Sequence, residues 1–595
     1  MPPTGGARRK SLPIPPTHED VHFPATDARN TPLVCEFMDT RSCGTTTALR
    51  EAAGVVSMST IAGLASNRGR NLLHLADQQP GGADLGVVVS NHADAPVLDA
   101  AADRDIPTVV VERRAEESRR DHERRVVAAL DDYDIDVVCL DGYMRVLSEV
   151  FLDAMPTTLN VHPSLLPAFP GRNAHEQVLD AGVSVSGCTV HVVTNAVAED
   201  GSVRTGDVDG GPIVTQESVP VFEDDTAATL KTRVRQDAEF EAYPRAIRQF
   251  AAGELDATTD GVSRADSDDA ATFPARRLTG TTREDVLRYG ENPHQDAAVY
   301  RDNTHAAASV VHADQLNPDA KALSYNNYND ADAALALVRE FDDGPAAAVI
   351  KHTNPAGCAT ADTLADAYSD ALSTDAKSAF GGIVALNREC DAETATRVAD
   401  SFKEVVVAPG YTDDAVDVLT AKSNLRVLDV GTLDGTPAPV TETPLVGGRL
   451  VQERNTWAPT ADDLEVVTKR EPTAAEVETM LFAWRVLTHV KSNGILFAAG
   501  TETVGLGVGQ VSRVDAVEIA AKKAERDANG KTADGAVMAS DAFFPFPDGI
   551  AAAAEAGIEA VIQPGGSKND DQVIEAANEH GMAMVFTGHR AFRHD

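Results

Sequence analysis

At 595 residues the chain is too long for one hydrophobic core, so two to four domains are expected. Its 43% hydrophobic and 24% charged residues are ordinary for globular domains, and no apolar run approaches the ~18 residues of a membrane span. The formal charge of −40 argues against binding nucleic acid or an anionic membrane, and it predicts a halophilic source, because a dense acidic shell keeps a protein soluble where salt screens self-repulsion.

Residues 1–57 are rich in Pro and Thr and lack periodic apolar spacing. Six basic residues (Arg8, Arg9, Lys10, Arg29, Arg41, Arg50) balance six acidic ones (Glu19, Asp20, Asp27, Glu36, Asp39, Glu51), so residues 58–595 carry the whole −40. The basic start is followed by SLPIPPTHED, not by an apolar run, so no secretory leader is expected. Met58 then opens the apolar segment MSTIAGLAS. Two readings stand: Met58 is the true start, or 1–57 is a disordered extension.

Residues 58–253 alternate short apolar strands (60–65, 86–90, 107–111, 135–140, 158–162) with helical patterns such as 117–131, whose solvent face is Arg-rich. Buried strands separated by helices predict a mostly parallel, doubly wound α/β sheet. Residues 254–271, ELDATTDGVSRADSDDAA, are acidic, small and nearly free of large apolar groups, which predicts an interdomain linker. Residues 272–595 are again α/β, with strands at 346–350, 404–408, 494–498 and 559–562 and helices at 330–341 and 512–526. No repeat with a period of 20–50 residues is apparent. The six cysteines (Cys35, Cys43, Cys139, Cys188, Cys358, Cys390) are scattered without a CxxC pair. That argues against a structural zinc site or a disulfide framework and fits a reducing, cytoplasmic compartment.

The first chemical constellation lies in TLNVHPSLLPAFPG, residues 158–171. Asn160 and His162 share one face of a strand end, and Pro163, Pro167 and Pro170 force an irregular loop beyond it. Ligands of open α/β sheets sit beyond the carboxyl ends of strands, where an amide and an imidazole can stabilise an oxyanion. Downstream, GDVDGGPIV puts Asp209 in a glycine-rich turn, where its carboxylate could hold His162 charged. The bland alternatives are a polar pair capping the strand and an ordinary turn aspartate.

This block resembles glycinamide ribonucleotide transformylase, a formyltransferase of the formyl-folate type, over about residues 58–250. The resemblance implies a Rossmann-like domain with Asn160, His162 and Asp209 as the catalytic trio. DGYMRVLS (Met144, Arg145, Val146, Leu147) resembles the stretch that holds the folate pterin, though plain core packing is the other reading. His191 in GCTVH matches a further histidine near the folate, and Glu239 matches the carboxylate that contacts the substrate, with a register uncertain by one residue. The family's phosphate loop is Ser-Gly-Asn-Gly-Ser-Asn; here it is Ser66-Asn67-Arg68-Gly69-Arg70-Asn71, opening a helix. A helix amino terminus suits a phosphate, and Arg68 or Arg70 adds charge, yet one glycine is lost. The insertion EDGSVRTGD precedes Asp209 and weakens the match there.

The second constellation is Lys351-His352 at the end of the strand AAAVI, a candidate oxyanion-and-base pair. RYGENPHQ, LSYNN, VIKHTNP, SAFGGI, VKSNGI, GQVSR, ASDAFFPFPDG and QPGGS follow in order from residue 288 to 567. Together they resemble the aminoimidazolecarboxamide ribonucleotide (AICAR) transformylase domain, from about residue 272 onward. The resemblance implies two tandem cytidine-deaminase-like α/β subdomains. His352 would take the proton from the substrate amine, and Lys351 and Asn493 would stabilise the oxyanion. Arg288, Tyr289, Asn327, Arg513 and Arg590 would hold the nucleotide, while Phe546 and Asp548 would contact the pterin. The deaminase zinc signature is missing, so no catalytic metal is expected. The family's best-known form carries a cyclohydrolase ahead of this domain. Nothing here resembles one, so a fusion lacking ring closure is expected. The resemblance further implies 10-formyltetrahydrofolate as co-substrate and a homodimer through the second domain. A contrasting reading keeps only the second site active and makes the first domain a folate-binding module.

Overall fold

The computed structural model describes residues 59–264, 273–274, 277, 279–303 and 307–594. The extension expected at 1–57 lies outside the described residues, as does the linker from 265 on to residue 271. The chain divides into two compact units, Met1–Ser267 and Asp268–Asp595.

The first unit runs β1 (Thr60–Leu64), α1 (Arg70–Gln78), β2 (Asp84–Ser90), α2 (Pro96–Ala102), β3 (Thr108–Val110), α3 (Arg119–Leu130), β4 (Val137–Leu140), α4 (Glu149–Leu152), β5 (Thr158–His162), α5 (Ala174–Ala181), β6 (Val185–Val192) and β7 (Ile213–Pro220). It continues through α6 (Ala227–Arg233), a π turn (Val234–Glu239), α7 (Phe240–Ala251) and the hairpin β8 (Leu255–Thr258)–β9 (Gly261–Arg264). The sheet order is β3-β2-β1-β4-β5-β6-β7, parallel as far as β5 and antiparallel beyond it. This is the Rossmann-like doubly wound arrangement, extended by two antiparallel strands. Strands β1, β2 and β4 are apolar along most of their length because helices cover both sheet faces. One face packs Leu72, Leu75, Val97 and Tyr243, and the other packs Val126, Leu130 and Phe151. The strand order reverses between β1 and β4, which opens a crevice at their carboxyl ends.

The hairpin β8–β9 corrects the linker expectation over 255–264. Leu255 and Ala257 are buried while Asp256 and Thr258 face solvent, so a period of two is present in a stretch whose acidity suggested none.

The second unit begins with the hairpin β10 (Thr281–Leu287)–β11 (Ala297–Asp302) and the short β12 (Asp314–Gln315). Then come α8 (Tyr325–Val338), β13 (Ala346–Lys351), β14 (Asn354–Thr360), α9 (Leu364–Thr374), β15 (Ile383–Leu386), α10 (Ala392–Ala399), β16 (Val405–Ala408), α11 (Asp413–Thr420) and β17 (Arg426–Asp429). After the hairpin β18 (Val440–Leu445)–β19 (Gly448–Glu453) and β20 (Glu465–Val466), the pattern repeats. It runs α12 (Ala474–Leu487), β21 (Ile495–Ala499), β22 (Glu502–Gly507), α13 (Arg513–Arg526), β23 (Val537–Ser540), α14 (Asp548–Glu555), β24 (Ala560–Gln563), α15 (Asp570–Glu579) and β25 (Ala583–Phe586).

All but the two hairpins join one sheet, β12-β17-β16-β15-β13-β14-β22-β21-β23-β24-β25-β20. Its two halves are arranged alike: an antiparallel hairpin, then three parallel strands outward, with β14 and β22 meeting in the middle. On one face α8 and α12 cover a core drawn from both halves. On the other, α9–α11 and α13–α15 each cover their own half.

Candidate functional site

In the first unit, antiparallel pairing sets Asn160 of β5 directly opposite His191 of β6. Their side chains meet, with Asn160 Nδ2 3.1 Å from His191 Nε2. Asp209 reaches between the two histidines: Oδ2 lies 3.2 Å from His162 Nδ1, and Oδ1 lies 3.7 Å from His191 Nε2. Its backbone is left-handed (φ 59°), and the Gly171 amide donates to Oδ2 at 2.8 Å. The long insertion before Asp209 therefore still brings the carboxylate to His162.

The hydrogen bonds distinguish the two rings. His191 Nδ1 lies 3.0 Å from the Val192 carbonyl, which fixes the proton there and leaves Nε2 to accept from Asn160. Burial holds its pKa below the usual value, although the Val192 carbonyl and Asp209 oppose that. His162 has acceptors at both nitrogens, Phe169 carbonyl oxygen at Nε2 (2.9 Å) and Asp209 at Nδ1. Only the imidazolium donates to both. The pair is thus a His191 that orients an amide and a His162 held between a carboxylate and a backbone carbonyl.

The carboxyl ends of β1 and β4 supply the next groups. Asn71, in the first turn of α1, gives its backbone N–H to Asp141 Oδ2 (2.7 Å) and its amide to Asp141 Oδ1 (3.2 Å) and Glu239 Oε2 (2.8 Å). Burial pushes Glu239 up to about 7, with nearby Asp141 adding to the rise and Asn71 opposing it; burial raises Asp141 too. Glu239 ends the π turn, which takes up one residue more than an α-helical turn does. Gly69 caps α1 at φ 53°, and a Cβ there would lie 2.4 Å from Val97 Cγ2. The glycine that the loop keeps is the one its geometry requires, and Asn67, Arg68 and Arg70 stand exposed around it. Ser66 Oγ bridges the Asn91 side chain (2.6 Å) and the Met144 backbone N–H (2.9 Å). Along that loop Met144 is exposed and Arg145 and Val146 are half-buried, whereas Leu147 packs in the core with Val126 and Phe151.

In the second unit, Lys351 pairs with Asn354 across a two-residue turn made of His352 and Thr353. Both have positive φ, 53° and 62°, the pattern of a type I′ hairpin turn. Such turns favour Asn-Gly; left-handed backbone costs other residues about 1–2 kcal/mol each, and most in a β-branched residue such as Thr. Asp330 of α8 accepts both turn amides, from His352 (3.3 Å) and Thr353 (2.7 Å). Lys351 Nζ donates to the Gly381 carbonyl at 2.9 Å, within the SAFGG segment. Lys351 and His352 open on a cavity of about 360 Å³ that also takes in Asp375, Ser378, Gln510 and Lys523 and lies between the two halves of the unit. Lys523 Nζ is 2.5 Å from Asp375 Oδ2, so the wall carries a paired charge.

Asn493 donates to the carbonyls of Gln510 (2.8 Å) and Val511 (3.0 Å), and Arg513 donates to its Oδ1 (2.6 Å). The buried Arg513 is also bound to Ser540 Oγ (2.9 Å) and to Asp541, which is fully buried. Asn327 sits in a reciprocal cap with Ser324 and donates to Glu404 at 2.9 Å. Arg513 and Asn327, expected on the nucleotide, are both buried and also bonded within the protein. Arg288 lies over the Tyr289 ring, 4.6 Å from its centroid, and Arg590 lies over Phe543 and Phe592. Phe544 is core, whereas Phe546 is 58% exposed, beside Asp548 at the start of α14. None of Arg288, Tyr289, Arg590, Phe546 and Asp548 lines the Lys351 cavity. The residues that sequence reasoning passed over are Asp141, Asp330, Asp375, Lys523 and Asp541. Asp141 and Asp541 stand inside quoted motifs, but only the fold reveals what they hold. Among the described residues no three His, Cys, Asp or Glu side chains form a metal-ligating group, and no helix is long and apolar enough to cross a membrane.

Residues 223–523 match the family model of the AICARFT/IMPCHase bienzyme, and residues 59–247 match that of the formyl transferases. The chain belongs to the AICARFT/IMPCHase bienzyme family. The bifunctional purine biosynthesis protein PurH of Roseobacter denitrificans is 53% identical over 329 residues, 54% of this chain and 62% of that protein. The PurH of Cereibacter sphaeroides is 48% identical over 378 residues, 62% of this chain and 69% of that protein. The chain thus spans less than two thirds of the length of several curated relatives it matches. Among solved structures, glycinamide ribonucleotide transformylase 1 from Symbiobacterium toebii is 39% identical, covering 35% of this chain and 95% of its own, with a TM-score of 0.32.

The bienzyme assignment corrects the expectation of a glycinamide–AICAR transformylase fusion standing apart from the cyclohydrolase family. The match to the bienzyme model runs through RYGENPHQ, VIKHTNP and VKSNGI, and the relatives are named as bifunctional PurH proteins. Those motifs are marks of membership in the bienzyme family, and the expectation that ring closure is absent falls with the fusion reading.

Proposed function

We propose that the chain catalyses two formyl transfers of purine synthesis, each drawing on 10-formyltetrahydrofolate. The first unit formylates the amine of glycinamide ribonucleotide and the second that of AICAR. The observation that carries the first is His162 lying between Asp209 and the Phe169 carbonyl, beside an amide held by His191. The substrate amine attacks the formyl carbon, Asn160 and charged His162 stabilise the oxyanion, and Asp209 helps pass the proton to the departing folate nitrogen. Ser66, Gly69, Arg70 and Asn71 take the nucleotide phosphate, Glu239 the substrate amine side, and Met144, Arg145 and Val146 the pterin, with Leu147 behind them and His191 near the folate.

In the second unit His352 removes the proton from the aromatic amine while Lys351 and Asn493 stabilise the oxyanion. Arg288, Tyr289, Asn327, Arg513 and Arg590 hold the nucleotide, and Phe546 and Asp548 meet the pterin. We take the two similar halves of this unit as tandem cytidine-deaminase-like subdomains and the functional domains as 58–253 and 272–595. A homodimer through the second unit, a cytoplasmic location and a halophilic source complete the reading.

Separate assays of the two formylations test it. His162→Ala should abolish only the first and His352→Ala only the second. A full first activity in His162→Ala, or no first activity in the wild type, would reduce the first unit to a folate-binding module.

A further inference from the structure

We infer that Asp330 is a positioning residue for the second formyl transfer, holding the His352–Thr353 turn in the one backbone conformation that keeps the imidazole beside Lys351. The inference rests on the reading of His352 as the base. Four observations converge on it. The turn has only two residues, and Lys351 and Asn354 pair directly across it, so no slack exists to absorb a misplaced His352. Both turn residues are left-handed and neither is glycine, so the local chain disfavours the conformation it adopts. Two successive N–H groups in such a turn converge into a small concavity that suits an anion, and the Asp330 carboxylate fills it with one oxygen on each amide. The carbonyl side is tied as well: the His352 carbonyl accepts from Thr353 Oγ1 (2.7 Å) and Asn354 Nδ2 (3.0 Å).

Asp330 sits mid-way along α8, which packs on β13 and contributes to the core shared by both halves. The carboxylate is therefore anchored to a rigid element while the turn it holds is exposed at the rim of the cavity. The Lys351 ammonium is fixed independently, by the Gly381 and Phe380 carbonyls (2.9 and 3.4 Å). Releasing the turn would thus separate base from cation without moving the cation, a loss of geometry that falls on the chemical step.

The test uses the full chain and four variants: Asp330→Ala, Asp330→Asn, Asp330→Ala with Thr353→Gly, and His352→Ala. Asp330→Ala should lower kcat for AICAR formylation about 30-fold or more, with KM for both substrates within about 3-fold, while glycinamide ribonucleotide formylation in the same preparation stays unchanged. Asp330→Asn keeps one acceptor and should fall between. Adding Thr353→Gly, which takes left-handed backbone freely, should recover at least a third of the lost kcat. An unchanged kcat in Asp330→Ala would overturn the proposal, as would a loss carried by KM or one that glycine does not relieve. His352→Ala separates the two readings: if it formylates AICAR at the full rate, the assignment of the base has failed, whatever Asp330 does.

Discussion

Replacing Asp209 by Asn removes one charge and leaves the side chain's shape. With His162 charged, as the proposed mechanism has it, its attraction to Asp209 at 3.2 Å and an effective dielectric of about 20 is about 5 kcal/mol. The Asp209 side chain is 14% exposed, so water screens part of that, and the amide oxygen can still accept from Nδ1. Taking about half as lost leaves about 2.7 kcal/mol, a factor of about 100 in rate. The loss should fall on kcat for glycinamide ribonucleotide formylation, because Asp209 holds the imidazolium and not the nucleotide. Steady-state assays of both formylations on one preparation read it out: the first falls about 100-fold with KM within about 3-fold, and the second stays level. If Asp209→Asn kept kcat within about 3-fold of the wild type, His162 would not depend on this carboxylate and the charged-pair account would be wrong.

Gly69→Ala should destabilise the first unit, because the new Cβ meets Val97 Cγ2 at 2.4 Å in a backbone with φ 53°. The left-handed strain of about 1–2 kcal/mol and overpacking of about 1–3 kcal/mol should appear as a lower Tm together with a higher KM for the glycinamide nucleotide, and an unchanged Tm would contradict the packing seen here. Glu239 gives a pH signature. Its folded pKa is pushed up to about 7 from the usual 4.5, so the stability it contributes is full below about pH 4.5 and is lost as pH rises through about 7. Hydrogen–deuterium exchange in peptides from α1 and β4 should quicken over that window beyond the intrinsic rate, and Glu239→Gln should remove the effect. A slope that persists in the variant would place its origin elsewhere.

Much of the first unit can be read from its sequence because its strands are buried on both faces. The runs that become β1, β2 and β4 have no amphipathic ambiguity to resolve. The antiparallel β6 and β7 are less legible, since GCTVH and DGGPIV read as motifs before they read as strands. The hairpin β8–β9 is hidden because its only signal is the alternation in LDAT, inside an acidic stretch that otherwise looks like a tether. In the second unit the internal similarity lies in the order of elements. At the two equivalent hairpin turns the first half has His352-Thr353 and the second Gly500-Thr501, so the repeat is faint at the very place where chemistry is found. Charge is visible in a sequence but its partner is not. Arg513 and Asn327 carry the right groups for a nucleotide, but that the fold also pairs them with Asp541 and Glu404 is not written in the sequence. Asp330 is invisible for the converse reason: an aspartate within YNDADAAL looks like helix surface until the turn it holds is built.

The meeting of β14 and β22 also governs how this chain leaves the ribosome. When translation reaches Asp429 the first half has all its strands, but β14 is a bare edge and the apolar face beneath α8 lacks the side chains that α12 and β21 contribute. An open edge and an uncovered face are what neighbouring nascent chains pair with and what chaperones hold. The vulnerable interval ends only when Glu502–Gly507 has been made and docks on β14.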